Sequence, residues 1–96
     1  MKPVKKVEII VESVAAPQVL EMLERHGYAS YTMIREAYGK GDRGASLGGV
    51  SGEFNNSYVI IACEPDKVND LVELVRPVLK RFGGVTLVSD ALWVKH

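Results

Sequence analysis

The sequence predicts an α+β protein with the ferredoxin-like order βαββαβ: a four-stranded antiparallel sheet with two helices on one face. Apolar residues alternate in the first segment, as in a strand, and recur at helical spacing in two later segments. Runs rich in β-branched residues follow each helical segment. Two split βαβ units with right-handed crossovers place these elements in one sheet. The other sheet face needs a cover, which predicts subunit association.

The first strand and the first helix follow from apolar periodicity. Residues 4–12 are predicted as a strand because apolar side chains occupy alternate positions from Val7 to Val11. Residues 15–26 are predicted as a helix, with apolar residues at helical spacing. Gly27 follows this helix at the position of a C-terminal cap.

The central strands are predicted from β-branched and aromatic content. Residues 31–38 have this composition and continue directly into a glycine-rich loop. Residues 57–63 are nearly all apolar, which predicts a strand covered on both faces or buried in an oligomer.

The second helix and last strand complete the order. Pro65 opens a helix whose apolar face continues to Phe82, with a kink expected from Pro77. Gly83-Gly84 ends the helix, residues 85–89 form the fourth strand, and residues 90–96 are predicted as a short tail.

Composition narrows the class of protein. Ninety-six residues, of which 47% are hydrophobic, predict one domain over residues 1–96. Twelve basic residues balance twelve acidic ones, which argues against nucleic-acid binding. Acidic residues interrupt the N-terminal apolar run, so a signal peptide is not predicted and we expect a cytoplasmic protein. The one cysteine excludes an internal disulfide, and we expect no metal.

The glycine-rich loop carries the clearest functional signal. Six of the nine glycines lie between Gly39 and Gly52, together with Lys40 and Arg43. Glycine lets backbone N–H groups approach a ligand closely, so this loop suits phosphate or another small anion. The alternative is a flexible hairpin tip without a ligand.

The order of several short motifs resembles the nitrogen-regulatory PII proteins over the whole chain. The motifs are Lys5 to Val11, then Gly27, then Tyr31-Thr32-Met33, then the glycine loop. The sequence is most similar to the PII-like branch encoded beside bicarbonate transporters or carboxysomes, where short Gly-Lys-Gly-Asp-Arg-Gly loops occur. The resemblance implies a homotrimer that binds adenine nucleotides between subunits. A mobile loop, about residues 40–54, would then signal to a partner such as a membrane bicarbonate transporter or a carboxysome-related protein.

The resemblance also implies a set of binding residues. Val85 replaces the lysine that usually follows the paired glycines, and the paired C-terminal arginines are absent. Fewer cations favour AMP, ADP or cyclic AMP over ATP. Lys40 and Arg43 are also candidates for binding a small anion such as bicarbonate. The candidate nucleotide-binding residues are Ile10, Ser30, Tyr31, Thr32, Gly39, Lys40, Gly41, Arg43, Cys63, Gly83, Gly84, Lys95 and His96.

Two other functions are consistent with the predicted fold. An acylphosphatase-type enzyme would need a phosphate-binding loop after strand one. The residues that follow Ser13 do not supply such a loop. An RNA-recognition module would need stacking aromatics on its central strands, which carry Val, Ile and Cys here. We therefore expect a regulator without catalytic residues or a cofactor. Residues 42–53 contain no tyrosine, so the uridylylation known in this family lacks an acceptor there.

Overall fold

A computed structural model describes residues 1–28, 30–41, 44–46 and 55–96, with the backbone alone in 39–41 and 44–46. A short 3-10 helix precedes each α-helix. The elements are β1 (Lys2–Glu12), a 3-10 helix (Ser13–Ala15), α1 (Ala16–Arg25), β2 (Thr32–Ala37), β3 (Gly39–Gly41), β4 (Gly44–Ser46), β5 (Asn56–Cys63), a 3-10 helix (Pro65–Lys67), α2 (Val68–Phe82) and β6 (Val85–Trp93).

The main sheet has four strands in the order β2-β5-β1-β6, and every neighbouring pair is antiparallel. Along the chain, α1 connects β1 to β2, and α2 connects β5 to β6. The predicted ferredoxin-like βαββαβ fold is therefore confirmed. Strands β3 and β4 form a separate two-stranded ladder within the glycine-rich segment.

The hydrophobic core lies between one face of the sheet and the two helices. Alternate residues of β1 and β5 are buried there, as the period of two in the sequence predicted. Each α-helix contributes a completely buried leucine, Leu23 from α1 and Leu71 from α2. The largest fully buried side chains are Val7, Ile9, Val11, Val19, Leu23, Val59, Leu71 and Val75.

Glycines end both helices, as predicted. Gly27 has φ of 89°, and the next residue, Tyr28, donates its backbone N–H to the Leu23 carbonyl at 2.7 Å. Gly83 has φ of 78° and donates its N–H to the Leu79 carbonyl at 2.8 Å. Both glycines have positive φ, which other L-residues adopt only with strain.

The last strand is longer than predicted. β6 continues to Trp93 instead of ending at residue 89, so the interpretation of residues 90–96 as a tail is wrong for Asp90–Trp93. These residues pair with β1, which itself begins at Lys2 instead of Val4. The hydrophobic pattern did not predict this extension, because backbone hydrogen bonds and a Lys5–Asp90 ion pair hold it in place of buried side chains.

Two other observations bear on β5 and on the glycine-rich segment, and burial of β5 in an oligomer stays a prediction. β5 alternates between buried and partly exposed residues, so the chain itself covers only one of its faces. We define the outer sheet face by the apolar residues that lie opposite the helices: Ile10, Ile34, Tyr58, Ile60, Val85 and Leu87. The glycine-rich segment also contains regular structure, because Gly39 pairs with Ser46 and Gly41 with Gly44.

Candidate functional site

An open cleft of about 470 Å³ lies at one end of the main sheet. The start of β1, the end of β5 and the end of β6 meet there, beside the chain that leaves α1. We call it the β5 cleft. Its lining residues are Lys2, Val4, His26, Gly27, Tyr28, Ser30, Ile61, Ala62, Cys63, Glu64, Lys67 and Trp93.

Strand register explains why distant residues meet at this cleft. Lys2 lies opposite Trp93, and Lys5 lies opposite Cys63, so the ends of three strands lie together at one end of the sheet. Two of the predicted site residues, Ser30 and Cys63, line the cleft.

The cleft combines apolar walls with several charged groups. Lys2 forms an ion pair with Glu64, and Lys67 and His26 add further basic groups. Burial raises the pKa of the Cys63 thiol, and the neighbouring carboxylates of Glu64 and Asp66 raise it further. The Cys63 thiol is therefore mainly protonated at neutral pH and is a weak nucleophile there. With three basic residues and one acidic residue in its lining, this cleft is suited to an anionic ligand that also has an apolar part.

A second set of predicted residues lies at the opposite end of the sheet. Ile10 is half-buried and pairs with Tyr58 and Val85. Gly84 packs against the backbone of Ile10 and directly follows Gly83, the α2 cap. Strand β3, with Gly39, Lys40 and Gly41, begins two residues after β2 ends. Arg43 and the side chain of Lys40 lie outside the described residues.

The two sets are too far apart to bind one small ligand within a single chain. Lys2 and Ile10 lie eight positions apart along β1, which corresponds to about 26 Å in a strand. Lys95 and His96 are exposed and follow Trp93 at the end of the β5 cleft. A site that uses both sets therefore requires two copies of the chain.

Tyr31 and Thr32 lie outside the lining of the β5 cleft. Tyr31 is half-buried and packs against the hydrophobic core. Thr32 is exposed and opens β2, where it pairs with Ile60 between the two sets.

Sequence reasoning missed most of the polar residues that line the β5 cleft. No local sequence pattern marks Lys2 or Glu64 as a site residue, because the two meet only through the pairing of β1 with β5 and β6. Gly27 was not among the candidate binding residues, although its turn forms part of the cleft wall. The other missed polar or aromatic residues are His26, Tyr28 and Lys67.

A hydrogen-bond network fixes the base of the glycine-rich segment. The hydroxyl oxygens of Ser13 and Ser57 lie 2.9 Å apart and lie 3.1 and 2.9 Å from the Arg35 carbonyl oxygen, so their two protons serve two of these three contacts at a time. The Ser13 N–H also donates to the Asn55 carbonyl at 2.7 Å. This network joins the strand that enters the segment to the residues that leave it, beside a second cleft of about 590 Å³.

The described residues contain no cluster of three or more His, Cys, Asp or Glu side chains that could hold a metal ion. Neither α-helix in this part of the chain is long and apolar enough to cross a membrane.

Comparisons with known proteins agree on one family. The sequence profile described as Nitrogen regulatory protein P-II matches residues 4–96. The chain is similar to CPII, a nitrogen regulatory PII-like protein from Thiomonas intermedia K12, solved with ADP, AMP and bicarbonate. It shares 31% identity over 93% of this chain and 86% of that chain, with a TM-score of 0.81. The same protein solved with ADP and bicarbonate matches at 30% identity over 93% and 86%, with a TM-score of 0.80.

A proposed PII-like signaling protein from Thermus thermophilus shares the fold. It is 22% identical over 97% of this chain and 91% of that chain, with a TM-score of 0.78. A comparison with curated proteins found no significant match.

Proposed function

This chain belongs to the PII family of signalling regulators, and we propose that it binds AMP, ADP or cyclic AMP, together with bicarbonate, in clefts between the subunits of a homotrimer. Binding would set the conformation of the loop over residues 40–54, which would then bind or release a partner. The proposed partner acts in inorganic-carbon uptake or fixation, as in the bicarbonate-transporter- or carboxysome-associated branch. The proposed location is the cytoplasm, and the proposed domain spans residues 1–96.

The similarity to CPII carries the ligand assignment. That relative was solved with ADP, AMP and bicarbonate, and its similarity covers 93% of this chain. The β5 cleft has the mixed apolar and basic lining that a nucleotide requires, with Ser30 and Cys63 among its walls. Membership of the PII family favours a regulator over the acylphosphatase-type enzyme considered above.

The division of the candidate residues supports sites between subunits. The β5 cleft and the Ile10–Gly84 end lie at opposite ends of one sheet. In a shared site, the β5 cleft of one copy would therefore face the Ile10–Gly84 end of the next copy. Such head-to-tail contacts form a ring when the rotation closes, and a ring of three gives the proposed trimer. The outer sheet face carries exposed apolar side chains, with Leu87 51% and Ile34 56% exposed, and subunit association would cover them.

The preference for fewer phosphates rests on the number of cations. Val85 stands where the family usually has a lysine, and it is an exposed apolar residue at the start of β6. Lys95 and His96 are the C-terminal basic residues that remain. Lys40 and Arg43 would serve the phosphates and bicarbonate from the neighbouring subunit.

Calorimetric titration tests this proposal. AMP, ADP, cyclic AMP and ATP are each titrated with and without bicarbonate, and GDP serves as the control for base selectivity. Trp93, the one tryptophan of the chain, lines the β5 cleft and reports binding independently through its fluorescence. We expect ADP and AMP to bind more tightly than ATP and GDP, and to quench Trp93. Equal affinity for GDP, or no binding of any adenine nucleotide, would contradict the proposal.

A further inference from the structure

Lys2 and Glu64 form an ion pair at the β5 cleft. Lys2 is the first residue of β1, and Glu64 directly follows β5, so the pair joins two strand ends across the cleft lining. The two side chains are 47% and 45% exposed. Ion pairs that are this accessible to water contribute little stability, so a ligand that competes for one partner can separate them.

Lys2 occupies the end of the sheet from which the C-terminal cations extend. It lies opposite Trp93 in the β1–β6 ladder, and both residues line the β5 cleft. Lys95 follows two residues later but is not among the cleft residues. Within the part of the chain that the structure describes, Lys2 and Lys67 are the lysines that line the cleft, and of these two Lys2 is the one that forms an ion pair with a cleft carboxylate.

We propose that Lys2 binds a phosphate group of the nucleotide in the β5 cleft and that Glu64 competes with this phosphate for Lys2. The inference rests on the proposed function, since it assigns two residues to the same site. A phosphate offers more negative charge and more acceptor oxygens than one carboxylate, so it displaces Glu64 from Lys2. The displaced carboxylate remains close by and opposes each additional phosphate, which favours nucleotides with few phosphates.

The two members of the pair should have opposite effects on affinity. Lys2→Ala removes the phosphate ligand and should weaken ADP binding about tenfold. Glu64→Gln removes the competitor and should strengthen ADP binding about threefold, with a larger gain for ATP than for AMP. Adenosine has no phosphate, so neither substitution should change its affinity. An ion pair that only stabilises the cleft would instead give two losses, because either substitution breaks it.

The Lys5–Asp90 ion pair supplies a matched control. It also links β1 to a neighbouring strand, but neither residue lines the β5 cleft, so Lys5→Ala and Asp90→Asn should leave ADP binding unchanged. Thermal unfolding checks the folding of each variant. If Lys2→Ala does not fold, Lys2→Gln replaces it, because glutamine keeps a long side chain without the charge.

The outcomes separate this inference from the proposed function. ADP binding that is weakened alike by Lys2→Ala and Glu64→Gln, or a loss that is equal for adenosine and ADP, would overturn the inference while the proposed function stands. Absence of ADP binding to the unsubstituted protein would overturn both.

Discussion

Gly84 packs so closely on the Ile10 carbonyl that a Cβ added to Gly84 would lie 2.5 Å from that oxygen. Gly84 also has φ of 129°, a conformation that L side chains rarely adopt. The contact joins the turn after α2 to β1, which is a central strand of the sheet. It lies at the end of the sheet where we place the second half of the proposed site. A side chain at Gly84 must therefore displace the backbone of β1.

Gly84→Ala should destabilise the protein by about 2–4 kcal/mol, since it combines backbone strain with a clash against main chain. Gly27→Ala is the matched control, because Gly27 also has positive φ but has open space around its missing Cβ. Only strain acts there, at a cost of about 1 kcal/mol. Urea unfolding measures both variants, and equal losses would show that the contact with Ile10 contributes nothing.

Ser13 and Ser57 should act as a unit at the base of the glycine-rich segment. Ser57 is 2% exposed, and its hydroxyl reaches both Ser13 and the Arg35 carbonyl. Ser57→Ala should cost about 1 kcal/mol in unfolding free energy.

A double-mutant cycle with Ser13→Ala should give a coupling energy of about 0.5 kcal/mol or more, because the two hydroxyls share one carbonyl. Ser89→Ala, at an exposed position of β6, serves as the control and should be nearly neutral. Additive losses from Ser13 and Ser57 would show that the two serines act independently.

Cys63 should report occupancy of the β5 cleft through its reactivity. The cysteine is 8% exposed and lines the cleft, and its pKa lies above the ordinary value of a thiol, chiefly because of burial. Alkylation requires the thiolate, so its rate should keep rising with pH beyond the point where the rate of the urea-unfolded chain levels off. Saturating ADP should slow alkylation of the folded protein and leave the unfolded control unchanged. A folded-state rate that does not respond to ADP would contradict the placement of the ligand.

Tyr58 should affect assembly more than subunit stability. Its hydroxyl donates a hydrogen bond to the Glu8 carboxylate on the outer sheet face, and this bond is the largest cause of the raised pKa of Tyr58. Tyr58→Phe would leave Glu8 without this partner when the proposed trimer covers the face, which should weaken association by about 1–3 kcal/mol.

Sedimentation velocity over a dilution series measures this effect on assembly. Tyr31→Phe is the control, because Tyr31 packs against the hydrophobic core and not on the outer sheet face. A trimer of Tyr58→Phe that dissociates at the same concentration as the unsubstituted protein would argue against burial of the Glu8–Tyr58 pair in the interface.

Local patterns predicted the elements whose side chains face the core. The alternation from Val7 to Val11 identified β1, and Gly27 identified the end of α1. The extension of β6 from Asp90 to Trp93 was not predictable in this way, because backbone pairing and an ion pair hold it. A strand segment without buried side chains leaves no hydrophobic period in the sequence.

The candidate site was only partly predictable for a related reason. Ser30 and Cys63 came from the family resemblance, and both line the β5 cleft. Lys2 and Glu64 are 62 residues apart and meet through strand register, which no local motif encodes. The division of the remaining candidates between two ends of the sheet likewise became visible only once the register was known.

The central claim is that each nucleotide site combines the β5 cleft of one subunit with the Ile10–Gly84 end and loop of the next. Ser30→Trp should fill the cleft, and Lys40→Glu should place a negative charge in the opposite half-site. Each variant alone should lose ADP binding. Unfolded and refolded together, they should form mixed trimers in which one site joins two unsubstituted halves.

Calorimetry of ADP binding to this mixture is the most direct test. The account predicts that binding returns in the mixture with the affinity of the unsubstituted protein, at no more than one site per mixed trimer. A mixture that assembles into mixed trimers yet binds no ADP would contradict a site shared between subunits.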